Sequence, residues 1–470
     1  ENTVIINAGE NATANVTLEN VNIDVSSNSE AAITTQGQGD VTLNLSGNNS
    51  VQSGEYHAGV HKGNAGNLTV TTPEGGTGSL NATGGKGGAG IGGDSSGGKG
   101  NNITGSGGTV VAKGGEHSAG IGGGGNSSHK DASKITISGG NVTATGAGSA
   151  AGIGGGNGGS GTDIEITGGK VTATGGEQGA GIGGGKYGNG SGITVSGGTV
   201  IATGKDDYDG GGAGIGGGSG GNGSNITVSR GIVNATGGDY SAGIGGGKNG
   251  NGSGITVSGG KVKAIGGTHG AGIGGGFGGS GSNIAIEGGT TGRDWHKGAA
   301  IGNGGTPTTD GNEVSPNTSD LKVGGFIQIY EPGKNINTDT PDRTIEGQKG
   351  DHSWNAGEVT TAETVPESKA AAYWVSDSEG QSIPYQAQQK DGVLTVTVQA
   401  DTASLRGTTG SLGQLEAQGI AEIRFVTNGA QSAFTLSDLL TSGTGSFTLT
   451  HDGDKITFTL ENTDISGILK

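Results

Sequence analysis

The sequence predicts an all-β chain: a right-handed parallel β-helix of about ten coils of 27–33 residues, followed by a small antiparallel β domain. Three observations predict it. The phrase Ala-Gly-Ile-Gly-Gly recurs around Ile91, Ile121, Ile153, Ile182, Ile215, Ile244 and Ile273, with weaker copies at Ile33, Val60 and Ile301. Between copies, two short alternating segments keep a fixed order, as in Ile193-Thr-Val195 and Val200-Ile-Ala202. Glycine supplies 114 of 470 residues, while only 28% are apolar, which is too little for a conventional core of this length.

Each element has a local reason. β-Branched residues at every second position favour strands with two residues in and one out. The Ser-Gly-Gly and Thr-Gly-Gly steps between them read as corners. Three tiny strands cannot bury one face alone, so successive units must stack into three parallel sheets around a narrow core. About five inward residues per coil suffice, which accounts for the low apolar content. Right-handed coiling follows from the general preference of parallel crossovers. At roughly 4.8 Å per coil, ten coils span about 48 Å. The glycines flanking each Ile allow close backbone approach. A propeller blade needs about 40–45 residues, more than this unit has. Glycine is not at every third position, so collagen is excluded.

The repeat domain covers residues 1–305. Residues 306–369 read as a cap or linker rich in Pro, Thr, Asn and Gly, with one last strand over Leu321–Tyr330. Residues 370–470 read as a β-sandwich-like domain. Its expected strands are Ala371–Val375, Val393–Val398, Ile420–Val426, Ser446–Leu449 and Ile456–Leu460, with a helical turn at Ser437–Thr441 and a hairpin turn at Asp452-Gly453.

Composition narrows the function. The formal net charge is −17, which argues against nucleic acid and anionic membrane as partners. No run of apolar residues is long enough to span a bilayer, so no membrane insertion is expected. The opening at Glu1 is expected to follow a leader that has been removed or excluded. No cysteine is present, so disulfides and thiolate metal sites are excluded.

The loop before each Ala-Gly-Ile step falls at one corner of every coil, so its residues form a column. The column holds Tyr56, His57, His117, Asp206, Asp207, Tyr208, Asp239, Tyr240, His269, Asp294, Trp295 and His296. Tyr187 and Phe277 lie in the next loop. An aromatic ring stacks on the C–H face of a sugar while planar polar groups take its hydroxyls, so these residues are the candidate glycan-binding ladder. The plainer alternative is a row of solvated loops. Asp206, Asp207 and Asp209 place three carboxylates in four positions and are the candidate Ca²⁺ ligands, against the alternative of an acidic solvated insertion. Gly158–Glu165 matches a calcium nonapeptide pattern, but it occurs once per coil, where a glycine turn with an Asn/Asp corner explains it better. Outward Thr143, Thr145, Thr172 and Thr174 fit ordinary strand propensity better than an ice-binding array. No catalytic residue is assigned.

The opening Val16-Thr-Leu-Glu-Asn-Val-Asn-Ile23, Ala-Ala-Ile33, and the run Gly39-Asp-Val-Thr-Leu-Asn-Leu-Ser-Gly-Asn-Asn-Ser-Val51 resemble a family of bacterial carbohydrate-binding β-helix proteins. The later Ile-x-Ile-Ser-Gly-Gly-x-Val-x-Ala pattern does too. The resemblance covers about residues 4–305. It implies a right-handed parallel β-helix, export, and binding of plant polysaccharides with calcium. Members commonly carry Asp-Gly-Ile where this chain has Ala-Gly-Ile, so the acids of that calcium site are missing here.

The expected function is therefore a non-catalytic adhesin or glycan-binding β-helix, extracellular or on a bacterial cell surface. Its expected partners are polysaccharide or glycoconjugate glycans, with host surface proteins as a second class. The alternatives are a polysaccharide lyase or hydrolase, and a structural stalk displaying the C-terminal domain. Only Arg230 and Arg293 occur in the repeat region, which counts against a lyase that needs a base beside bound calcium.

Overall fold

A computed structural model describes residues 3–303, apart from 74–75, 96–99, 126–129, 206–209, 287–289, 294–298 and 300. Beyond them it describes the strands Leu321–Val323, Phe326–Tyr330, Arg343–Glu346 and Glu358–Thr360, and most of 373–470. The chain forms two compact units, Glu1–Thr364 and Val365–Lys470.

The first unit is a parallel β-solenoid. Each coil contributes one strand to each of three sheets. In the coil of Ile182 these are Ile182–Gly183, Gly190–Val195 and Thr199–Thr203. The first sheet stacks eleven parallel strands from Val4–Ala8 to Ile301–Gly302. Its Ile column pairs in register from coil to coil, Ile153 with Ile182 and Ile182 with Ile215. The second sheet pairs Ile193 with Ile226, and the third pairs Val200 with Val233. The strand Asp40–Gln52 serves the second sheet with its first half and the third with its last.

The core of one coil is Ile182, Ile193, Val195, Val200 and Ala202, all fully buried. These are the five inward residues per coil that the pattern requires. The stack extends beyond the expected ten units. Val4–Ala8 adds a strand upstream. The single strand expected over Leu321–Tyr330 is two strands, Leu321–Val323 in the second sheet and Phe326–Tyr330 in the third. Arg343–Glu346 then runs antiparallel to Phe326–Tyr330.

In the glycine-rich coils the first sheet is reduced to two residues per strand. The Ala N–H donates to the carbonyl four residues ahead, Ala180 to Gly184 and Ala242 to Gly246, both at 2.9 Å. This bond pinches the chain on either side of the inward Ile. The glycine after Ile therefore takes φ near +132° at Gly183, where an added Cβ would lie 2.0 Å from the Gly216 carbonyl oxygen. Only glycine fits there.

The second unit packs a five-stranded antiparallel sheet against a four-stranded one. The expected strands are present, together with Gln386–Lys390, Thr402–Thr408, Gln431–Thr435 and Thr463–Asp464. The four-stranded sheet is not wholly antiparallel, because Val393–Thr397 runs parallel to Glu422–Val426. Phe434 from one sheet meets Phe447 and Phe458 from the other at 5.9 and 4.8 Å between ring centres. The helix Leu436–Ser442 is capped by the Thr435 hydroxyl, which accepts from the Asp438 N–H. The hairpin closes at Asp452 opposite Lys455.

Candidate functional site

Among the described residues, the loop before most Ile positions is a four-residue turn closed by an N–H to C=O bond. Examples are Ser118 to Gly115, Ser241 to Gly238 and Gly270 to Gly267. The loop after Ile repeats the device from Ile153 to Ile273, as in Gly188 to Gly185 and Gly279 to Gly276. In most of these turns the third residue is left-handed, as a type II turn requires. Glycine takes this place at Gly87, Gly158, Gly220 and Gly278. Elsewhere a side chain does so: Tyr56 at φ 74°, His117 at 64°, Tyr187 at 63°, Tyr240 at 63°, Asn249 at 59° and His269 at 70°. A bulky residue in this region costs about 1 kcal/mol that glycine avoids.

The two columns of turns flank the narrow first sheet and are bonded to each other. The Phe277 N–H donates to the Tyr240 carbonyl, Asn157 to His117, Lys186 to Ser149, and Ser95 to Tyr56, at 2.7–3.0 Å. Residues that the sequence placed in two separate loops thus share one face. Glycines of the next coil leave room for the rings. A Cβ on Gly148 would lie 2.7 Å from the His117 Nδ1, and one on Gly220 would lie 2.6 Å from a Tyr187 ring carbon.

The densest part of this face is an aromatic cluster. Tyr240 stacks on His269 with 5.6 Å between ring centres, and Phe277 stands edge-on to both at 5.2 and 5.8 Å. The Lys248 ammonium lies 5.5 Å from the Tyr240 ring centre. The Thr268 hydroxyl donates to Asp239 at 3.1 Å. Tyr187, 69% exposed, carries the Lys186 ammonium 5.1 Å from its ring centre.

A second group surrounds Asp94, which is only 5% exposed. Its carboxylate lies 3.4 Å from His61 Nε2 and 3.9 Å from His57 Nδ1. Burial holds the His61 imidazole below its ordinary pKa, against the pull of Asp94. Beside it Tyr56 is 45% exposed. The neighbouring Lys62 points inward and donates to the Asn64 carbonyl. Burial pulls its pKa down to about 8, with Asp40 opposing. Lys86 and Glu116 form an exposed pair at 3.2 Å that bridges two coils.

Of the ladder expected from sequence, Asp239, Tyr240 and His269 come together, with Lys248 and Phe277 joining them. His117 stands further along the same face, and Tyr56 and His57 form its other populated end. Asp206, Asp207, Tyr208, Asp209, Asp294, Trp295 and His296 lie outside the described residues. Among the described residues, no group of three or more His, Asp and Glu is arranged to hold a metal ion. Asp163 of the nonapeptide-like segment takes a left-handed corner at φ 52°, a place filled by Lys134, Gly192, Asn225, Gly254 and Asn283 in other coils. That is the glycine-turn role.

Two arrangements escaped the sequence. Asn189 and Asn222 accept the N–H of the equivalent residue one coil on, Asn222 and Asn251, at 2.9 and 2.8 Å, and Asn251 accepts from Ser280. The signal was present, since Gly-Asn-Gly recurs at the start of the second-sheet strands Gly190–Val195, Gly223–Val228 and Gly252–Val257. In the second unit, His451 Nε2 lies 2.7 Å from the Ser432 hydroxyl and Nδ1 lies 3.1 Å from Thr427. His451 is fully buried and Ser432 is 3% exposed. The trio is a satisfied interior network that no substrate reaches, and burial lowers the His451 pKa.

Among the described residues, no helix is long and apolar enough to cross a membrane. A family profile described as the beta helix repeat matches residues 102–125, 135–157, 164–186, 193–219, 226–248 and 255–277. No curated protein and no solved structure matches the chain. The six matched segments all fall within the solenoid, and each runs from a second-sheet strand through a third-sheet strand to the next first-sheet strand, so this part of the chain is similar to the beta helix repeat.

Proposed function

We propose that the chain is a non-catalytic, extracellular or cell-surface glycan-binding solenoid. In this reading it holds a polysaccharide or glycoconjugate against the paired turn columns. One observation carries the reading. Tyr56, His117, Tyr187, Tyr240 and His269 occupy left-handed turn positions that other coils fill with glycine, as at Gly87, Gly158, Gly220 and Gly278. Tyr56 and Tyr187 are exposed and the other three rings partly so; backbone strain kept at such rings is strain kept for what the rings contact. Tyr240, His269 and Phe277 supply ring faces and edges for sugar C–H groups, and Asp239 and Lys248 supply polar partners for hydroxyls. Calcium belongs to the proposal through Asp206, Asp207 and Asp209, whose carboxylates suit an oxygen-loving ion.

The test pairs binding with stability. Tyr240→Gly and His269→Gly relieve a strained φ, so each variant is expected to unfold no earlier than the parent. Each is expected to lose at least tenfold in affinity on a glycan array. Loss of stability with unchanged glycan binding would make the rings structural and sink the proposal. Running the array with calcium and with chelator tests the ion. Release of reducing ends or unsaturated products would replace the adhesin with a polysaccharide-cleaving enzyme.

A further inference from the structure

One buried titratable group lies outside the glycan-binding reading. His451 is the only histidine of the second unit, Val365–Lys470. It stands fully buried on the strand Ser446–Asp452 of the five-stranded sheet. Both ring nitrogens reach across to the four-stranded sheet. Nε2 lies 2.7 Å from the hydroxyl of Ser432, on the strand Gln431–Thr435. Nδ1 lies 3.1 Å from the hydroxyl of Thr427, just past the strand Glu422–Val426. The imidazole is therefore a polar bolt between the two layers.

The partners fix where the ring hydrogen sits. The Thr427 hydroxyl donates to the Ala430 carbonyl at 3.3 Å and accepts the Ala430 N–H at 3.2 Å. Its single hydrogen is committed, so Nδ1 donates to it. Nε2 then carries no hydrogen and accepts from Ser432. The neutral ring satisfies both bonds with one proton. A second proton has no such place. On Nε2 it would meet the Ser432 hydrogen, and the serine, itself 3% exposed, would have to turn that hydrogen away. The Phe425 ring, 4.7 Å off between ring centres, offers no acceptor. The in-sheet neighbours opposite His451 are Ala403 and Ile456.

No counter-ion faces the ring among the described residues. Arg406, Glu422, Arg424, Asp452 and Lys455 alternate with the inward residues of their strands and point outward. Asp401 and Asp452 are exposed and take hydrogen bonds from Asn428 and Thr402. A buried charge without a partner is costly, and burial accordingly holds the imidazole below its ordinary pKa of 6.5.

We propose that His451 is an acid-sensitive bolt between the two sheets, which holds the second unit closed at neutral pH and loosens it in mild acid. Below pH 6.5 the opened unit takes up a proton that the closed unit refuses. The bolt's stabilisation is therefore complete above that pH and shrinks as pH falls toward the folded value. Across that window the opening equilibrium grows by up to about tenfold per pH unit. Ordinary carboxylates titrate lower, at about 4, and Asp464, bonded by Ser466, lower still. Opening separates Phe434 from Phe447 and Phe458, so the product of the switch is exposed aromatic surface.

The test is hydrogen exchange of the full chain at pH 7.5, 6.5 and 5.5, corrected for the intrinsic effect of pH on exchange. It is read in peptides covering Ser446–Leu460, with the solenoid strand Gly190–Val195 as reference. Protection in Ser446–Leu460 is expected to fall roughly threefold or more from pH 7.5 to 5.5, with the reference level. His451→Gln, whose amide can both donate and accept, should hold protection constant over this range. Ser432→Ala removes one bond but keeps the titrating ring, so protection should be lower at each pH and still fall. Level protection in the parent chain, or a fall that persists in His451→Gln, would overturn the bolt. Should His451→Gln fail to fold, NMR of the histidine-labelled chain decides instead: a His451 ring that titrates at or above pH 6.5 would overturn it, and one that titrates lower would support it.

Discussion

The coils before residue 85 and those from Ala89 to Asn303 share the same three sheets but close the first sheet by different means. In the early coils it is an ordinary strand, five residues at Ile33–Gly37 and three at Val60–Lys62. Its inward polar residues are held by side chains. The Thr35 hydroxyl donates to the Asn64 side chain at 2.8 Å, and the Asn64 amide donates to the Gly39 carbonyl at 2.8 Å. In the later coils the strand is two residues long and the backbone alone makes the closure, through the Ala-to-Gly pinch. The outward column shows the exchange directly, since Thr34 pairs with His61, His61 with Gly92, and Gly92 with Gly122. Side-chain closure needs a specific partner in each coil. Backbone closure needs only glycine, so it can be repeated without change.

The largest expected effect breaks the later mode of closure. Gly183→Ala forces a Cβ to within about 2.0 Å of the Gly216 carbonyl oxygen at a φ that L residues avoid. It should cost more than about 4 kcal/mol in urea unfolding. Thr34→Ala, in the same column of an early coil, should cost less than about 1 kcal/mol. Similar losses at the two positions would show that the two regions close alike.

Lys62 gives the early coils a pH signature. Its folded pKa of about 8 lies below its ordinary value of 10.5. Between those values the unfolded chain keeps a proton that the folded chain has released, so stability rises with pH across that window. Lys62→Met should flatten this rise, measured as the difference between unfolding midpoints at pH 7.5 and pH 10. An unchanged slope would place the lysine amine in water.

A smaller effect is expected from the asparagine ladder that ties later coils together. Asn222→Ala leaves the Asn251 N–H without its partner at 2.8 Å and should cost about 1 kcal/mol, with glycan affinity unchanged. Smallest is Tyr187→Gly, which relieves a left-handed tyrosine and should gain up to about 1 kcal/mol while weakening binding. A loss of stability there would mean that the ring packs rather than binds.

The solenoid was legible because its signals are local and repeated. The Ile column, the Ile-x-Val and Val-x-Ala pairs and the glycine corners each recur at one offset, and each maps to one strand or turn. The turn columns were only half legible. Tyr240 and His269 were visible as loop aromatics. Phe277, in the other loop, joins them only because the pinch at Ala271 and Gly275 draws the two loops together. That bond is between backbone atoms and leaves no mark on residue types beyond glycine. The grouping of His57, His61 and Asp94 was hidden for a related reason, since Asp94 belongs to the next coil. In the second unit, the parallel pair Val393–Thr397 and Glu422–Val426 looks like any two alternating segments, and strand direction is not written in alternation.

The Ala-to-Gly pinch also bears on how such a chain can change over generations. Each later coil meets its neighbours through the same backbone bonds, so a whole coil can be duplicated or deleted without altering any joint. A single inserted residue inside the pinch has no such freedom, because it displaces the glycine from the one place where it fits. Length should therefore vary in whole coils.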